Sequence, residues 1–306
     1  MSIIFFGTPE FAVPSLKALI DFGEDISLVI TQTDKLKGRG HSLAAPPVKI
    51  AALETGLRVM QPTLLRDEGL ARELTSLGPE FIVVVAYGKI IPARILEVPA
   101  RGCINVHASL LPNYRGAAPI QWAIMKGEKR TGVTTMLMDE GLDTGPILLQ
   151  NVLEIDPHET AGSLSQKLSS AGAKLLMETL KRLREGSVIP APQTGEASYA
   201  PPLKKEDGLI DWSQSAVEIC DFIRAMRPWP GAYCYVNTER VTLLDAEAMD
   251  GDGRPGMTVK VDKGKFIIAT GRGLLSVREV QPAGRKPMPA SAFVIGRHLT
   301  EGMSIR

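Results

Sequence analysis

The chain has 306 residues, of which 44% are hydrophobic and 23% are charged, and its formal net charge is +1. This length and this apolar content predict two folded domains with real cores, and they exclude a disordered chain. A nearly neutral charge excludes a uniformly basic nucleic-acid binder, so a nucleic-acid partner would have to be met by a local basic patch.

The cysteines and the N-terminus carry information about the cell compartment. Only Cys103, Cys220 and Cys234 are present, too few and too scattered for a disulfide framework or a zinc site. No Lys or Arg precedes Lys17, and Pro9 with Glu10 interrupts the apolar opening. We therefore expect no secretory signal, no membrane partner and no metal, and a location in the cytoplasm. As a separate expectation, we take the protein to be a monomer.

Strands and helices alternate through the first half of the sequence. The apolar run Ser2–Phe6 ends in Gly7 and predicts a buried parallel strand, followed by a helix from Pro9 to about Phe22 that Thr8 would cap. Further strands are predicted at 26–30, 58–60 and 81–86, and further helices at 47–55 and 66–77. This alternation indicates an α/β fold with a doubly wound, Rossmann-like sheet, which binds ligands beyond the carboxyl ends of its strands.

The first turn does not have the dinucleotide-binding pattern. Only Gly7 is present, whereas the fingerprint needs two further glycines, and Glu10 adds a negative charge where a pyrophosphate would approach. The sequence therefore excludes a nicotinamide-dependent dehydrogenase.

A polar pair follows another strand. Cys103–Val106 predicts a short strand that Pro112 and Gly116 prevent from continuing. Because residues two apart on a strand share a face, Asn105 and His107 should stand side by side at its end. An amide can hold an oxygen that gains negative charge and an imidazole can move a proton, which suits acyl transfer to nitrogen. A histidine with a purely structural role is the alternative.

The wider string resembles a known family. Asn-Val-His-Ala-Ser-Leu-Leu-Pro from Asn105, then Arg115-Gly116 and Pro119-Ile-Gln-Trp122, is similar to the signature of the folate-dependent formyltransferases. The resemblance implies that Asn105 and His107, with a downstream aspartate, carry formyl transfer from 10-formyltetrahydrofolate. Asp143, in Gly141–Pro146, is the candidate, because it follows a predicted strand at 132–138 and should reach the same rim of the sheet.

The resemblance also implies substrate-binding residues. The opening Ile4–Pro14 is similar to the members that formylate methionyl-initiator-tRNA, and Gly38-Arg39-Gly40 matches their basic loop, although His41 and Ser42 replace expected lysines. By charge alone, 31–47 is an ordinary solvated loop. The implied folate-binding residues are Ala86, Tyr87, Gly88, Ile90, Ser109, Leu110, Leu111 and Pro112, and the implied tRNA-binding residues are Lys37, Arg39, Arg285 and Lys286.

The last third of the chain predicts a second domain. Proline and glycine around 186–202 are typical of a linker, so we expect a catalytic domain at 1–188, a linker at 189–203 and a second domain at 204–306. A helix at 216–226 and short strands at 233–236, 241–246, 257–261, 266–269 and 274–280 predict a small barrel. The resemblance implies an oligonucleotide-binding (OB)-like β-barrel that binds tRNA. Residues 254–306 contain ten Lys and Arg against three acidic residues, which favours phosphate contacts.

The sequence is compatible with two other functions. A folate-dependent formyltransferase acting on a small amine, a nucleotide or a nucleotide-linked amino sugar would share Asn105, His107 and Asp143. A tRNA-binding protein without catalysis would retain the fold but would not depend on His107.

Overall fold

The computed structural model describes residues 2–37, 42–262 and 264–306. The chain divides into two compact units, one formed by residues 1–119, 130–154 and 165–200, and the other by residues 120–129, 155–164 and 201–306. The strands are β1 (Ser2–Gly7), β2 (Ile26–Ile30), β3 (Lys35–Lys37), β4 (Ser42–Ala44), β5 (Val59–Met60), β6 (Pro79–Val85), β7 (Cys103–His107), β8 (Arg115–Gly116), β9 (Arg130–Leu137), β10 (Ile147–Glu154), β11 (Tyr199–Ala200), β12 (Tyr233–Val236), β13 (Glu239–Met249), β14 (Thr258–Asp262), β15 (Lys265–Ala269), β16 (Leu274–Pro282) and β17 (Met288–Pro289). The helices are α1 (Val13–Asp21), α2 (Pro47–Glu54), α3 (Glu68–Ser76), α4 (Ala93–Leu96), α5 (Pro119–Met125), α6 (Ala161–Glu185), α7 (Ala216–Ala225) and α8 (Ala290–Arg297).

The first unit is built on a seven-stranded sheet in the order β10-β9-β7-β6-β1-β2-β5. Strands β1, β2, β5, β6 and β7 pair in parallel, whereas β9 and β10 are antiparallel to their neighbours. Successive residues of β1 alternate between two apolar clusters, Ile3 and Phe5 in one and Ile4 and Phe6 in the other. Both faces of the sheet are therefore covered, which confirms the predicted doubly wound α/β fold.

The first helix begins later than the sequence predicts. A 3-10 turn occupies Glu10–Ala12 and α1 starts at Val13, so Thr8 does not cap a helix. The Thr8 hydroxyl instead donates to the carbonyl oxygen of Tyr87 at 3.0 Å and accepts from the backbone N–H of Gln32 at 3.4 Å. Thr8 thereby joins the carboxyl ends of three neighbouring strands, β1, β2 and β6, at the rim where ligands of such sheets bind.

The predicted loop at 31–47 contains two short strands. Strands β3 and β4 pair antiparallel, with Lys35 opposite Ala44. Near the base of this ribbon, the carboxylate of Asp34 accepts hydrogen bonds from Lys49 at 2.8 Å and Gln61 at 2.7 Å, and the Lys49 bond, the larger cause, lowers the pKa of Asp34. Arg39 lies outside the described residues.

The second unit contains an antiparallel sheet in the order β12-β13-β16-β15-β14, and β17 pairs with β16. The C-terminal residues bond to both outer strands, because Arg306 N donates to Tyr235 O at 3.0 Å and Thr258 N donates to Met303 O at 2.9 Å. This partial closure agrees with the predicted barrel-like domain. Helix α7 starts with a capping box between Ser215 and Glu218.

Candidate active site

Strand β7 places two of the predicted side chains on one face. Its residues pair with β6 on one side and β9 on the other, so the main chain is held from both sides. Asn105 is partly buried, and His107 is 6% exposed. Because Asn105 and His107 are two residues apart, strand alternation directs both toward the same partner.

That partner is the carboxylate of Asp143. Its Oδ1 accepts from Nδ2 of Asn105 at 3.3 Å, and its Oδ2 accepts from the backbone N–H of Gly116 at 2.8 Å. The same Oδ2 lies 3.6 Å from Nδ1 of His107. The structure therefore brings the three predicted residues together around one carboxylate.

The chain path that brings Asp143 close to β7 differs from the predicted one. Strand β9 is antiparallel to β7, with Leu137 opposite Ile104 and Thr134 opposite His107. The carboxyl end of β9 consequently lies beside the beginning of β7, so the inference that Asp143 follows a strand ending at the same rim was wrong. The connection between β9 and β10 instead returns toward the face of β7, and Asp143 within it has φ +53°. This left-handed conformation is uncommon outside glycine, although aspartate adopts it more often than most residues.

The hydrogen bonds of His107 fix its tautomer. Nε2 lies 3.0 Å from the carbonyl oxygen of Tyr114. A carbonyl oxygen can only accept, so Nε2 must carry a hydrogen. Nδ1 is therefore the ring nitrogen that can gain or lose a proton, and it is the one that faces Asp143.

The loop after β7 is held by a buried hydroxyl. Thr134 is fully buried, and its Oγ1 donates to Ser109 O at 2.7 Å and accepts from Leu111 N at 3.2 Å. Gln150 Nε2 donates to Thr134 Oγ1 at 2.9 Å and to Leu111 O at 3.0 Å. Ser109 Oγ also donates to Asn113 O at 2.6 Å. These bonds hold the main chain of residues 109–113 in place.

The predicted folate-binding residues differ in their exposure to solvent. Ser109 and Leu111 are buried, Leu110 and Pro112 are partly buried, and Leu110 packs beside Gly132. Ala86 and Gly88 are exposed with positive φ, and Ile90 is 85% exposed.

The side chain of Tyr87 is buried, with 1% of its surface exposed. Its ring packs edge-on against Phe6 with a centroid distance of 5.2 Å, and burial raises its pKa to about 12. Its carbonyl oxygen accepts from Thr8 and from Gln32 Nε2, the latter at 2.7 Å. The Tyr87 ring is therefore part of the core.

Comparison with known proteins identifies the family. A formyl transferase model matches residues 1–180, and a model of the formyl transferase C-terminal domain matches residues 202–298. The chain belongs to the formyl transferase family. It is 55% identical over 301 residues to the methionyl-tRNA formyltransferase of Thermodesulfovibrio yellowstonii, covering 98% of this chain and 97% of the relative. It is 49% identical over 302 residues to that of Pelobacter propionicus, covering 98% and 95%.

Solved structures share the fold of this formyl transferase. An N-formyltransferase from Helicobacter canadensis has a TM-score of 0.69 at 19% identity, covering 90% of this chain and 99% of that one. A methionyl-tRNA formyltransferase from Clostridium thermocellum has a TM-score of 0.55 at 22% identity, covering 81% and 93%. These similarities show the common architecture.

Part of the candidate site lies in the segment that the sequence predicts to be a linker. Strand β11 pairs in parallel with β8, and Ser198 Oγ accepts from Tyr114 N at 2.8 Å. Gln193 bonds to Asp143, Gly145 and Arg115. The prolines and glycines of this segment are typical of any extended connection, so composition gave no signal for these contacts. The predicted boundaries 1–188, 189–203 and 204–306 stay a prediction.

The predicted tRNA-binding residues are spread over both units. Arg285 and Lys286 are exposed between β16 and β17, and Lys37 ends β3. Within residues 2–37, 42–262 and 264–306, no cluster of three or more His, Cys, Asp or Glu side chains could hold a metal ion. No helix in this part of the chain is long and apolar enough to cross a membrane.

Proposed function

We propose that this formyl transferase moves the formyl group of 10-formyltetrahydrofolate to the α-amino group of methionyl-initiator-tRNA, giving N-formylmethionyl-tRNA for translation initiation. The observation that carries the proposal is the contact of Asn105 and His107 with one carboxylate, that of Asp143. The relatives at 46–55% identity are named for this reaction, which supports the choice of acceptor.

Asn105 would hold the formyl oxygen. Attack of the amine on the formyl carbon gives a tetrahedral intermediate whose oxygen carries negative charge. The amide of Asn105 has two N–H donors, and one of them bonds to Asp143 and fixes the orientation of the group. The second N–H is then available to the oxygen.

His107 and Asp143 would move the proton. The amine must be neutral to attack, and the pKa of an α-amino group is about 7.7–8.0. After attack, the nitrogen loses a proton to the pair formed by Nδ1 of His107 and the carboxylate of Asp143. The C–N bond to N10 of the folate then breaks, and N10 takes up a proton, so the proton count balances with tetrahydrofolate as the product.

Binding of the two substrates would use different surfaces. We propose that folate lies against the exposed main chain of 86–90 and the fixed loop 109–112. Lys37, Arg39, Arg285 and Lys286 would contact tRNA phosphates, which position a nucleic acid without reading its sequence. Residues 1–188 would catalyse, and residues 204–306 would bind tRNA. Residues 189–203 would connect them and also contact the surroundings of Asp143. We propose that the enzyme acts as a monomer in the cytoplasm. Light scattering measures its oligomeric state directly.

Transfer of radiolabelled formyl to alternative acceptors tests the proposed function. The acceptors are methionyl-initiator-tRNA, methionyl-elongator-tRNA, free methionine and a nucleotide-linked amino sugar. We expect label on the charged initiator, with much slower labelling of the elongator. Preferential labelling of the sugar or of free methionine, or no label on any acceptor, contradicts the proposal.

A further inference from the structure

The side-chain amide of Gln193 uses its whole hydrogen-bonding capacity. Its Nε2 donates to the carbonyl oxygens of Asp143 and Gly145, both at 2.8 Å. Its Oε1 accepts from Nε of Arg115 at 3.2 Å and from Nη2 at 2.6 Å. Carbonyl oxygens only accept and a guanidinium only donates, so these partners fix which end of the amide is the oxygen.

Gln193 is connected to the Asp143 carboxylate through the chain of β8. Arg115 directly precedes Gly116, whose N–H donates to Oδ2 of Asp143 at 2.8 Å. Gln193 thus holds the main chain of Asp143 and connects it, through Arg115, to the strand that holds the Asp143 side chain. The main chain of Asp143 has φ +53°, a left-handed conformation that is uncommon outside glycine.

We propose that Gln193 is a positioning residue for formyl transfer, acting through the orientation of Asp143. The inference takes its reaction from the proposed function. The hydrogen bonds of Gln193, from which it is argued, do not depend on that function. Asp143 lies 3.3 Å from Nδ2 of Asn105 and 3.6 Å from Nδ1 of His107, so a small displacement of its loop changes both contacts. Misplacement by about 1 Å can cost about 100-fold in rate.

Two substitutions separate positioning of Asp143 from retention of the Arg115 bond. Gln193→Met removes both donors and the acceptor at similar length, whereas Gln193→Glu keeps an acceptor for Arg115 and loses the two donors. Gln166→Met makes the same chemical change on an exposed residue of α6 and serves as the control. We expect kcat to fall by about 10- to 100-fold in both Gln193 variants, with each KM within about threefold of wild type. The control should keep wild-type kinetics.

A double variant excludes a merely structural role. If Gln193 acts through the Asp143 carboxylate, Gln193→Met should cause no further loss of kcat in an Asp143→Asn background. A wild-type kcat in the single variants overturns the inference. So does a second full loss of about 10- to 100-fold in the Asp143→Asn background.

NMR of the substrate-free protein gives a readout that does not depend on activity. We expect Gln193→Met to move the ring resonances of His107, which faces Asp143, and Gln166→Met to leave them unchanged. Moved resonances support positioning of the site even if the acceptor assay contradicts the proposed function. Unchanged resonances overturn the inference even when the wild-type enzyme formylates methionyl-initiator-tRNA.

Discussion

The backbone N–H of Gly116 donates a hydrogen bond of 2.8 Å to Oδ2 of Asp143. Gly116 can take this position because it has φ +121° and no side chain, whereas a Cβ there would lie 2.7 Å from the carbonyl oxygen of Ala200. The pairing of β8 with β11 and the orientation of the carboxylate therefore depend on the same glycine.

Gly116→Ala should weaken both stability and activity. We expect the free energy of unfolding to fall by about 1–3 kcal/mol, because the new Cβ meets main chain at a positive φ. The kcat should fall as well, because the donor to Asp143 moves. Chemical denaturation and steady-state kinetics measure the two effects. Gly296→Ala, in α8 where a Cβ meets open space, is the matched control and should not destabilise the protein.

Asn105→Ala should lower kcat by about 100- to 1000-fold, because it removes the proposed donor to the oxygen that gains charge in the tetrahedral intermediate. Equilibrium binding of the folate should change little, since the proposed folate contacts lie in 86–90 and 109–112. Asn151→Ala, on an exposed position of β10, is the control. A loss confined to KM would show that Asn105 binds substrate and does not stabilise the transition state.

Thr134→Val should destabilise the loop after β7. The substitution keeps the shape of the side chain and removes the hydroxyl that bonds to Ser109, Leu111 and Gln150. Buried polar groups left without partners should lower the free energy of unfolding by about 1–3 kcal/mol. We also expect weaker folate binding, measured by calorimetry. Thr194→Val, at an exposed position, should alter neither quantity.

Local sequence patterns predicted the sheet of the first unit and the Asn105–His107 pair. The apolar runs of β1 and β6 are typical of strands buried on both faces, and strand alternation placed Asn105 beside His107. Helix α8 was missed because an eight-residue helix depends on packing, here through Phe293 and Val294, more than on intrinsic propensity.

The remaining features of the site depend on tertiary pairing. The direction of β9 decides how Asp143 reaches β7, and periodicity within a strand does not give its direction. Gln193 lies 50 residues after Asp143 in a segment of extended composition, so no local pattern connects the two. The late start of α1 goes with a different use of the Thr8 hydroxyl, whose oxygen accepts from the backbone N–H of Gln32 and not from a helix N-terminus.

Tyr87→Phe should change how stability depends on pH. Burial raises the pKa of Tyr87 to about 12, from 10.0, and its hydroxyl has no hydrogen-bond partner among the described residues. Between pH 10 and 12 the folded protein keeps a proton that the unfolded chain has lost, so stability should fall as pH rises through this range.

The variant should show a smaller fall than wild type between pH 10 and 12, measured by urea denaturation at several pH values. At pH 7, where Tyr87 is neutral in both states, we expect Tyr87→Phe to be at least as stable as wild type because no buried hydroxyl remains unpaired. Equal pH slopes for the two proteins would contradict this account of Tyr87.

Single-turnover formyl transfer tests most directly whether the chemistry takes place at Asn105, His107 and Asp143. Enzyme saturated with 10-formyltetrahydrofolate is mixed with labelled methionyl-initiator-tRNA and quenched over time, for the wild type and for Asp143→Asn. We predict that the transfer rate constant of the variant falls by about 100-fold or more while its folate affinity is retained. A wild-type rate constant in Asp143→Asn would contradict the assignment of the reaction to this site.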